Sequence, residues 1–249
     1  MLAVEQGSAA VAQRSLGVQI LGGVLDFIHV SVEGIAGTGD HEAGAKALLE
    51  TMQVDGVLLS KDGSTSPVIS GMTGEAFRQI ANVLGGYIQA QDGFIIATGR
   101  QKFGPDAGIS LRLKWDVPTV PDVDFSGASV VVRRAALAYD FEPEPLAIYE
   151  GQSVTDTAQR FSTTVPGLIR AFYLGAGLTK VTLDLAGSSY TLDASFLKAV
   201  SSATYRHEQA GGVGALVLYD ADRTNQSNPR FTLYSDGSGL FVQHGHLVK

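Results

Sequence analysis

Five histidines and a few close-set acids are the residues of this 249-residue chain best suited to chemistry, because it contains no cysteine. Disulfide staples, zinc ribbons and thiol nucleophiles are thereby excluded. His244 and His246, separated by Gly245, put two imidazoles on one face of an extended segment, the beginning of a metal pair. Two ligands fall short of a site without Asp or Glu from elsewhere, so they read as exposed tail histidines. His29 sits in a strand-like run opposite its apolar face. His41 lies between Asp40 and Glu42 in a Gly-rich stretch, where a metal or a proton relay is conceivable and a solvated loop is the simpler reading. Asp220, Asp222 and Asn225 begin like a calcium loop but lack the central glycine and terminal glutamate of an EF-hand, which leaves only a looser calcium site open.

Nucleophilic chemistry finds no footing. Ser235-Asp236-Gly237-Ser238-Gly239 has the letters of a nucleophile elbow but not its spacing, and reads as a turn between strands. Gly-rich loops at 34–39 and 211–214 lack the Lys-Ser/Thr of a phosphate loop. Glu142 and Glu144 form one close carboxylate pair, yet they flank prolines in a connector rather than a cleft. No residue is assigned a catalytic, cofactor-binding or metal role. The chain reads as a non-enzyme that needs no cofactor.

Charge and composition narrow the class further. Eighteen basic against 25 acidic residues leave a net charge of −7, and Arg133-Arg134 is the densest basic pair, read as lying on a solvated strand. A specific nucleic-acid partner is not expected from such a balance. Hydrophobic residues make up 45% and charged ones 17%, enough for a sizeable core in a soluble protein. No run approaches the roughly 18 apolar residues of a membrane-spanning helix. With Glu5 early and Arg14 where an apolar region belongs, the start does not read as a signal peptide, and Lys249 ends the chain without an anchor motif.

The elements that must position these residues are mostly strands. Residues 1–23 are Ala-, Gly- and Ser-rich; Val4, Val11 and Ile20 make no continuous helical stripe, because Ser8 and Ser15 interrupt it. They are expected to form an N-terminal arm that docks on a neighbour and adds little to the subunit's own core. From Val24 the period becomes two, with Ile28, Val30 and Val32 on one face. Residues 34–44 read as a Gly-rich loop. Strand-like residues 51–60 lead into a hairpin signal at Lys61-Asp62-Gly63-Ser64. A helix is predicted over Gly74–Leu84, capped by Thr73 and stopped by Gly85. Strands follow at 93–98, at Ile109–Trp115 with Leu111 and Leu113 facing the core, and at 128–137. Phe141–Pro145 is a stiff, proline-bearing connector, and the domain boundary is placed there.

The two halves repeat. Val57–Ser64 matches Val181–Ser188 at an offset of 124 residues, and each is followed by a helix with an aromatic, Phe77 or Phe196. Apolar strands at Gly93 and Gly214, prolines at 105 and 229, and alternating strands at 109–113 and 231–234 continue the order. Helices are too few for a parallel α/β sheet, and turn signals every ~8–15 residues fit β-sandwiches. The expected fold is all-β: an arm at 1–23, a first sandwich at 24–140 and a second at 141–249, each with one helix, the second over Ala194–Tyr205.

On these features the chain resembles the double jelly-roll major capsid proteins of tailless, membrane-containing double-stranded DNA phages. The resemblance implies a structural virion protein: trimeric capsomers of six jelly rolls, pseudo-hexagonal in outline, tiling an icosahedral shell. It further implies lateral contacts between capsomers, contacts with other virion proteins, and an arm reaching a neighbour or an internal membrane. The rival readings are a tail, spike or fibre module that binds a receptor or glycan, and a β-sandwich hydrolase.

Overall fold

The structure, a computed structural model, describes residues 2–83, 92–136, 144–205, 215–221 and 228–247. The chain divides into two compact units, with the change between Ala147 and Ile148 and with residues 79–83 of one helix grouped with the second. The boundary expected at Phe141–Pro145 falls two residues before this point, and residues 141–143 lie outside the described residues.

The first unit runs β1 (Leu2–Ala10), β2 (Ser15–Glu33), β3 (Ala36–Gly37), α1 (His41–Thr51), β4 (Gln53–Leu59), β5 (Thr65–Thr73), α2 (Gly74–Val83), β6 (Gly93–Lys114), β7 (Val123–Asp124) and β8 (Ser129–Ala136). Two of these strands are too long for one sheet and serve two. Residues 15–21 of β2 pair with 108–114 of β6, which also pair with β4, and β4 pairs with β5. Past a bend, residues 27–33 of β2 pair with the start of β6 on one side and with β8 on the other, and β8 carries β1. The result is two four-stranded antiparallel layers that share β2 and β6. The bend falls at Gly22 and Gly23, with φ of 62° and 72°, a region that side chains other than glycine's strain to enter. Arg134 braces it, its guanidinium donating to the carbonyls of Val24 (2.7 Å) and Leu21 (3.3 Å).

The second unit runs β9 (Ala147–Val154), β10 (Ala158–Ser162), β11 (Leu168–Leu174), β12 (Leu178–Leu185), β13 (Ser188–Asp193), α3 (Ala194–Tyr205), β14 (Ala215–Asp220), β15 (Arg230–Ser235) and β16 (Gly239–His246). One layer has the order β9-β16-β11-β14, the other β10-β15-β12-β13. Side chains from both layers and α3, among them Phe161, Tyr173, Val181, Leu197, Leu216, Phe231 and Phe241, fill one core. Each layer matches a layer of the first unit, strand for strand: β1-β8-β2-β6 in the one case, β2-β6-β4-β5 in the other. The duplication is thus one of topology, not of residue-for-residue register. The β4–β5 connection spans residues 60–64, whereas β12–β13 turns in two residues, Ala186 and Gly187, both at positive φ.

Three expectations need correction. The expected arm at 1–23 is part of the first sandwich: residues 2–10 form its outer strand beside β8 and residues 15–23 begin β2, with Val11, Val18 and Ile20 at 0%, 6% and 1% exposure. The sequence signal for this is the period two of Leu16, Val18 and Ile20, which a helical spacing does not show. Second, residues 34–44 are not one loop, because α1 begins at His41 with Asp40 as its N-cap, accepting from the Ala43 N–H at 3.0 Å. The first unit therefore has two helices among its described residues, not one. Gly44 disguises α1, and it stands there because a Cβ would lie 2.8 Å from Val123 Cγ1. Third, Phe77 and Phe196 are not counterparts. Phe77 is buried and stacked on Phe94, whereas Phe196 is 55% exposed, and the buried residue at the fourth position of α3 is Leu197.

Helix α2 spans Gly74–Val83 with Thr73 Oγ1 accepting from the Ala76 N–H, so its predicted cap is in place. Trp115 is buried beside Leu111 and Leu113, and its indole N–H donates to the Val11 carbonyl at 2.7 Å. Trp115→Ala opens a cavity and removes one of the two donors to that carbonyl, the other being the Arg14 N–H at 3.1 Å. The expected cost is about 3–5 kcal/mol, checked by urea titration. Deleting residues 2–22 removes three buried aliphatic side chains worth roughly 5–9 kcal/mol, the scale of a domain's whole net stability. The truncated chain is expected to lose its cooperative thermal transition, and a melting temperature within a few degrees of the intact chain's would refute this.

Candidate functional site

The polar side chains singled out in the sequence fall into separate clusters, each inside one unit. In the first, β2 and β8 set His29 directly opposite Arg133. Arg133 donates to Glu33 and to Ser31 Oγ (3.0 Å), and Ser31 Oγ donates to Glu33 at 2.8 Å. Burial, and then Arg133, lower the His29 pKa, while Asp92 and Glu33 pull the other way. The hydrogen bonds from Arg133 and Ser31 hold the Glu33 carboxyl below its usual range. Arg133 and Arg134, read as a solvated basic pair, are instead half-buried and engaged within the subunit, one on Glu33 and the other on the β2 bend.

Beside this network, Val32, Glu33, Gly34, Ile35, His41, Glu42 and Asp92 line an open cleft of about 610 Å³. His41 is the first residue of α1, with Nε2 3.0 Å from the Gly37 carbonyl, so Asp40-His41-Glu42 is a helix start, not a loop. Among the described residues no three His, Asp or Glu side chains converge as a metal site needs.

In the second unit the expectation for the C-terminal histidines fails. His244 and His246 belong to β16; His244 is 7% exposed, stacked on Tyr149 at 4.6 Å, and meets His246 edge-on at 5.8 Å. They are wall residues, not tail residues. Sequence reasoning passed over the neighbouring Gln243, which is fully buried. Its amide accepts from the Thr164 N–H and donates to Ser162 O and Thr164 Oγ1, pinning the β10–β11 connection to β16. Ser235-Asp236-Gly237-Ser238-Gly239 joins β15 to β16 as a turn, and Ser235 Oγ lies 2.9 Å from the Tyr173 hydroxyl. Asp220 pairs across the ladder with Arg170, Nε to Oδ1 at 3.1 Å; Asp222 and Asn225 lie outside the described residues, as do Glu142 and the glycines at 211–214. The Glu144 backbone is strapped to β6, its N–H donating to Arg100 O and its carbonyl accepting from Gln101.

What the structure brings together, then, is two sandwiches of one topology whose polar residues brace strands. No protein-family model and no curated protein matches the chain. Solved structures do. The major capsid protein P2 of bacteriophage PM2 aligns over 100% of this chain and 99% of its own, at 12% identity and a TM-score of 0.59. The MCP of STIV, the Sulfolobus turreted icosahedral virus, aligns over 98% and 95%, at 12% identity and a TM-score of 0.64. The PBCV-1 virus capsid aligns over 98% and 92%, at 10% identity and a TM-score of 0.51. At such identities the likeness is one of fold, and the fold is the double jelly roll.

The His29 cluster carries a pH dependence with a definite sign. The folded-state pKa of His29 lies below its unfolded value, so the unfolded chain takes up the proton more readily. Its effect is nil above the unfolded pKa near 6.5, and stability is lost as pH falls below that. Once charged, His29 also faces Arg133 directly. His29→Gln is expected to flatten the fall in melting temperature between about pH 7 and 5, measured by calorimetry at constant ionic strength. An unchanged slope would show that His29 does not titrate in this way.

Proposed function

We propose that this protein is a major capsid subunit: a structural virion protein that assembles as trimers of pseudo-hexagonal outline and tiles an icosahedral shell. The observation that carries this reading is the pair of jelly rolls with one strand order in one chain, aligned over nearly the full length of solved viral capsid proteins. Three copies supply six similar sandwiches, which is how a threefold assembly comes to fill a hexagonal cell. The work is geometric and needs no cofactor. Lateral contacts between capsomers and contacts with other virion proteins follow from that place in the shell. The net charge of −7 disfavours a direct role on nucleic acid. A membrane contact through residues 1–23 is not part of the proposal, because β1 and β2 hold those residues in the first sandwich.

The test is the mass and outline of the purified protein. Light scattering is expected to give about 78 kDa, three times the 26.1-kDa chain, and negative-stain images should show compact particles of threefold or hexagonal outline. A chain that stays monomeric at high concentration, or that builds a thin fibre, would overturn the reading, the latter in favour of a tail or fibre module.

A further inference from the structure

Strand β13 (Ser188–Asp193) ends the order β10-β15-β12-β13, so among the described residues β12 is its one ladder neighbour. The turn that precedes β13 decides which of its backbone groups face β12. A two-residue hairpin is closed by a hydrogen-bonded pair, and such pairs alternate with non-bonded ones along an antiparallel ladder. Ala186 and Gly187 make that turn, so Leu185↔Ser188, Leu183↔Tyr190 and Val181↔Leu192 exchange hydrogen bonds. The hydroxyls of Thr182 and Thr191, 3.2 Å apart, agree with this, since side chains lie closer across a non-bonded pair. The N–H groups of Ser189, Thr191 and Asp193 and the carbonyls of Ser189 and Thr191 therefore point away from β12, on a strand that is exposed at every residue but Leu192.

Two other outer strands are guarded in ways that β13 is not. In the first unit β1 carries a bulge between Glu5 and Gly7. In the second, β14 is buried from Ala215 to Tyr219, and the Val217 N–H donates to Ser201 Oγ of α3 at 3.2 Å. Strand β13 keeps an unbroken register with β12 and has no lysine or proline. Its apolar side chains are open as well. Tyr190 shares a face with Leu192, which packs on the core, yet it is 52% exposed, and Phe196 in the first turn of α3 is 55% exposed. Asp184 and Asp193 stand on the opposite face, and neither has an ion-pair partner among the described residues. Lys180, directly across from Asp193, lies instead over the Tyr234 ring at 4.4 Å.

We infer that the β13 edge is a docking site for an extended segment of another protein, which adds as a strand beside β13. Donors and acceptors repeated at every second residue are the complement of another extended backbone. The exposed parts of Tyr190 and Phe196 together offer on the order of 200 Å², far below the ~800 Å² that each side gives to a stable contact between folded subunits. A single strand needs less, because its main-chain hydrogen bonds supply affinity and its alternate side chains need only a place to rest. Charge points the same way. A lysine-bearing strand answers Asp184 and Asp193, whereas a second β13 would bring its own acids to the seam. Such docking goes beyond the capsid reading and stands whether or not the chain builds a shell.

The test uses the intact chain and a short synthetic peptide of alternating valine and threonine, with lysine at each end and both termini blocked. Fluorescence anisotropy of the labelled peptide is expected to show saturable binding, and hydrogen exchange to slow in residues 188–193 but not in β1 or β10. The same peptide N-methylated along its backbone keeps its side chains but cannot complete a ladder, and is expected not to bind. Thr191→Pro removes one outward N–H and leaves the bonds to β12 in place, so it should keep the far-UV spectrum and bind at least about fivefold more weakly. If that variant does not fold, the methylated peptide on the wild type decides alone. Absence of saturable binding, equal binding by the methylated peptide or the folded proline variant, or protection elsewhere than 188–193 overturns the inference. Protection of 188–193 in peptide-free protein that vanishes on dilution assigns the edge to a second copy and overturns it too. A chain that never self-associates would sink the capsid reading and leave the peptide result untouched.

Discussion

Closure of each sandwich, the first strand of a unit returning to lie beside its last, is the constraint on which everything else depends. In the first unit β1 runs antiparallel to β8 from Leu2↔Ala136 to Ala10↔Ser129, and in the second β9 lies beside β16. Without β1, the strand carrying Val130, Val131 and Val132 would become an open, valine-rich edge, the template on which chains aggregate. The entropic cost of bringing such distant segments together grows only slowly with their separation. The kinetic cost is larger, since contacts this non-local make for slow folding. Closure also explains why β2 and β6 are so long. Each serves both layers, and the glycines at 22 and 23 with the Arg134 brace are what allow β2 to change layers without ending.

How far the sequence disclosed this depended on the size of the residues involved. Where large side chains alternate or recur, the reading holds: the helices begin at Gly74 and Ala194 as predicted, while Ile28-Val30-Val32 lies within the longer β2 and the strands expected at 93–98 and from Ile109 are two parts of the single strand β6. Where small residues do the packing, the pattern was invisible. Gly7 in β1 carries no side chain because a Cβ would stand 3.0 Å from a Val18 methyl, and Gly44 is small for the same reason opposite Val123. An Ala-, Gly- and Ser-rich segment thus looks like a tether and is an edge strand paired along its length with β8. The C-terminal histidines misled in the opposite sense. A His-x-His near the end of a chain suggests an exposed tail, but β16 must lie in the middle of its layer for the second sandwich to close, and this puts His244 against Tyr149.

The candidate chemistry was legible only as an inventory of side chains, because what each does depends on partners far away in sequence. Arg133 and Glu33 are 100 residues apart and Gln243 and Thr164 are 79 apart, yet each pair is in hydrogen-bonding contact. A chain with only 17% charged residues uses them sparingly. Asp40 caps a helix, Arg170 and Asp220 tie two strands, and Arg134 holds a bend. The partly exposed ion pairs contribute little net stability and fix strand register more than they add free energy.

The duplication has a further physical consequence. In a tandem repeat within one chain, the same position of the fold can end in different surroundings in the two units. The two copies are then free to diverge, and their helices have done so: α2 places Glu75, Arg78 and Gln79 among residues none of which is exposed, with Glu75 and Arg78 paired at 2.7 Å, while α3 turns a phenylalanine and a valine outward. Desolvated polar groups are tolerable where their partners are built into the same fold and always present. The difference between the two helices is thus one of surroundings: α2 keeps its polar side chains where partners are at hand, and α3 leaves Phe196 and Val200 in water while Leu197 fills the core.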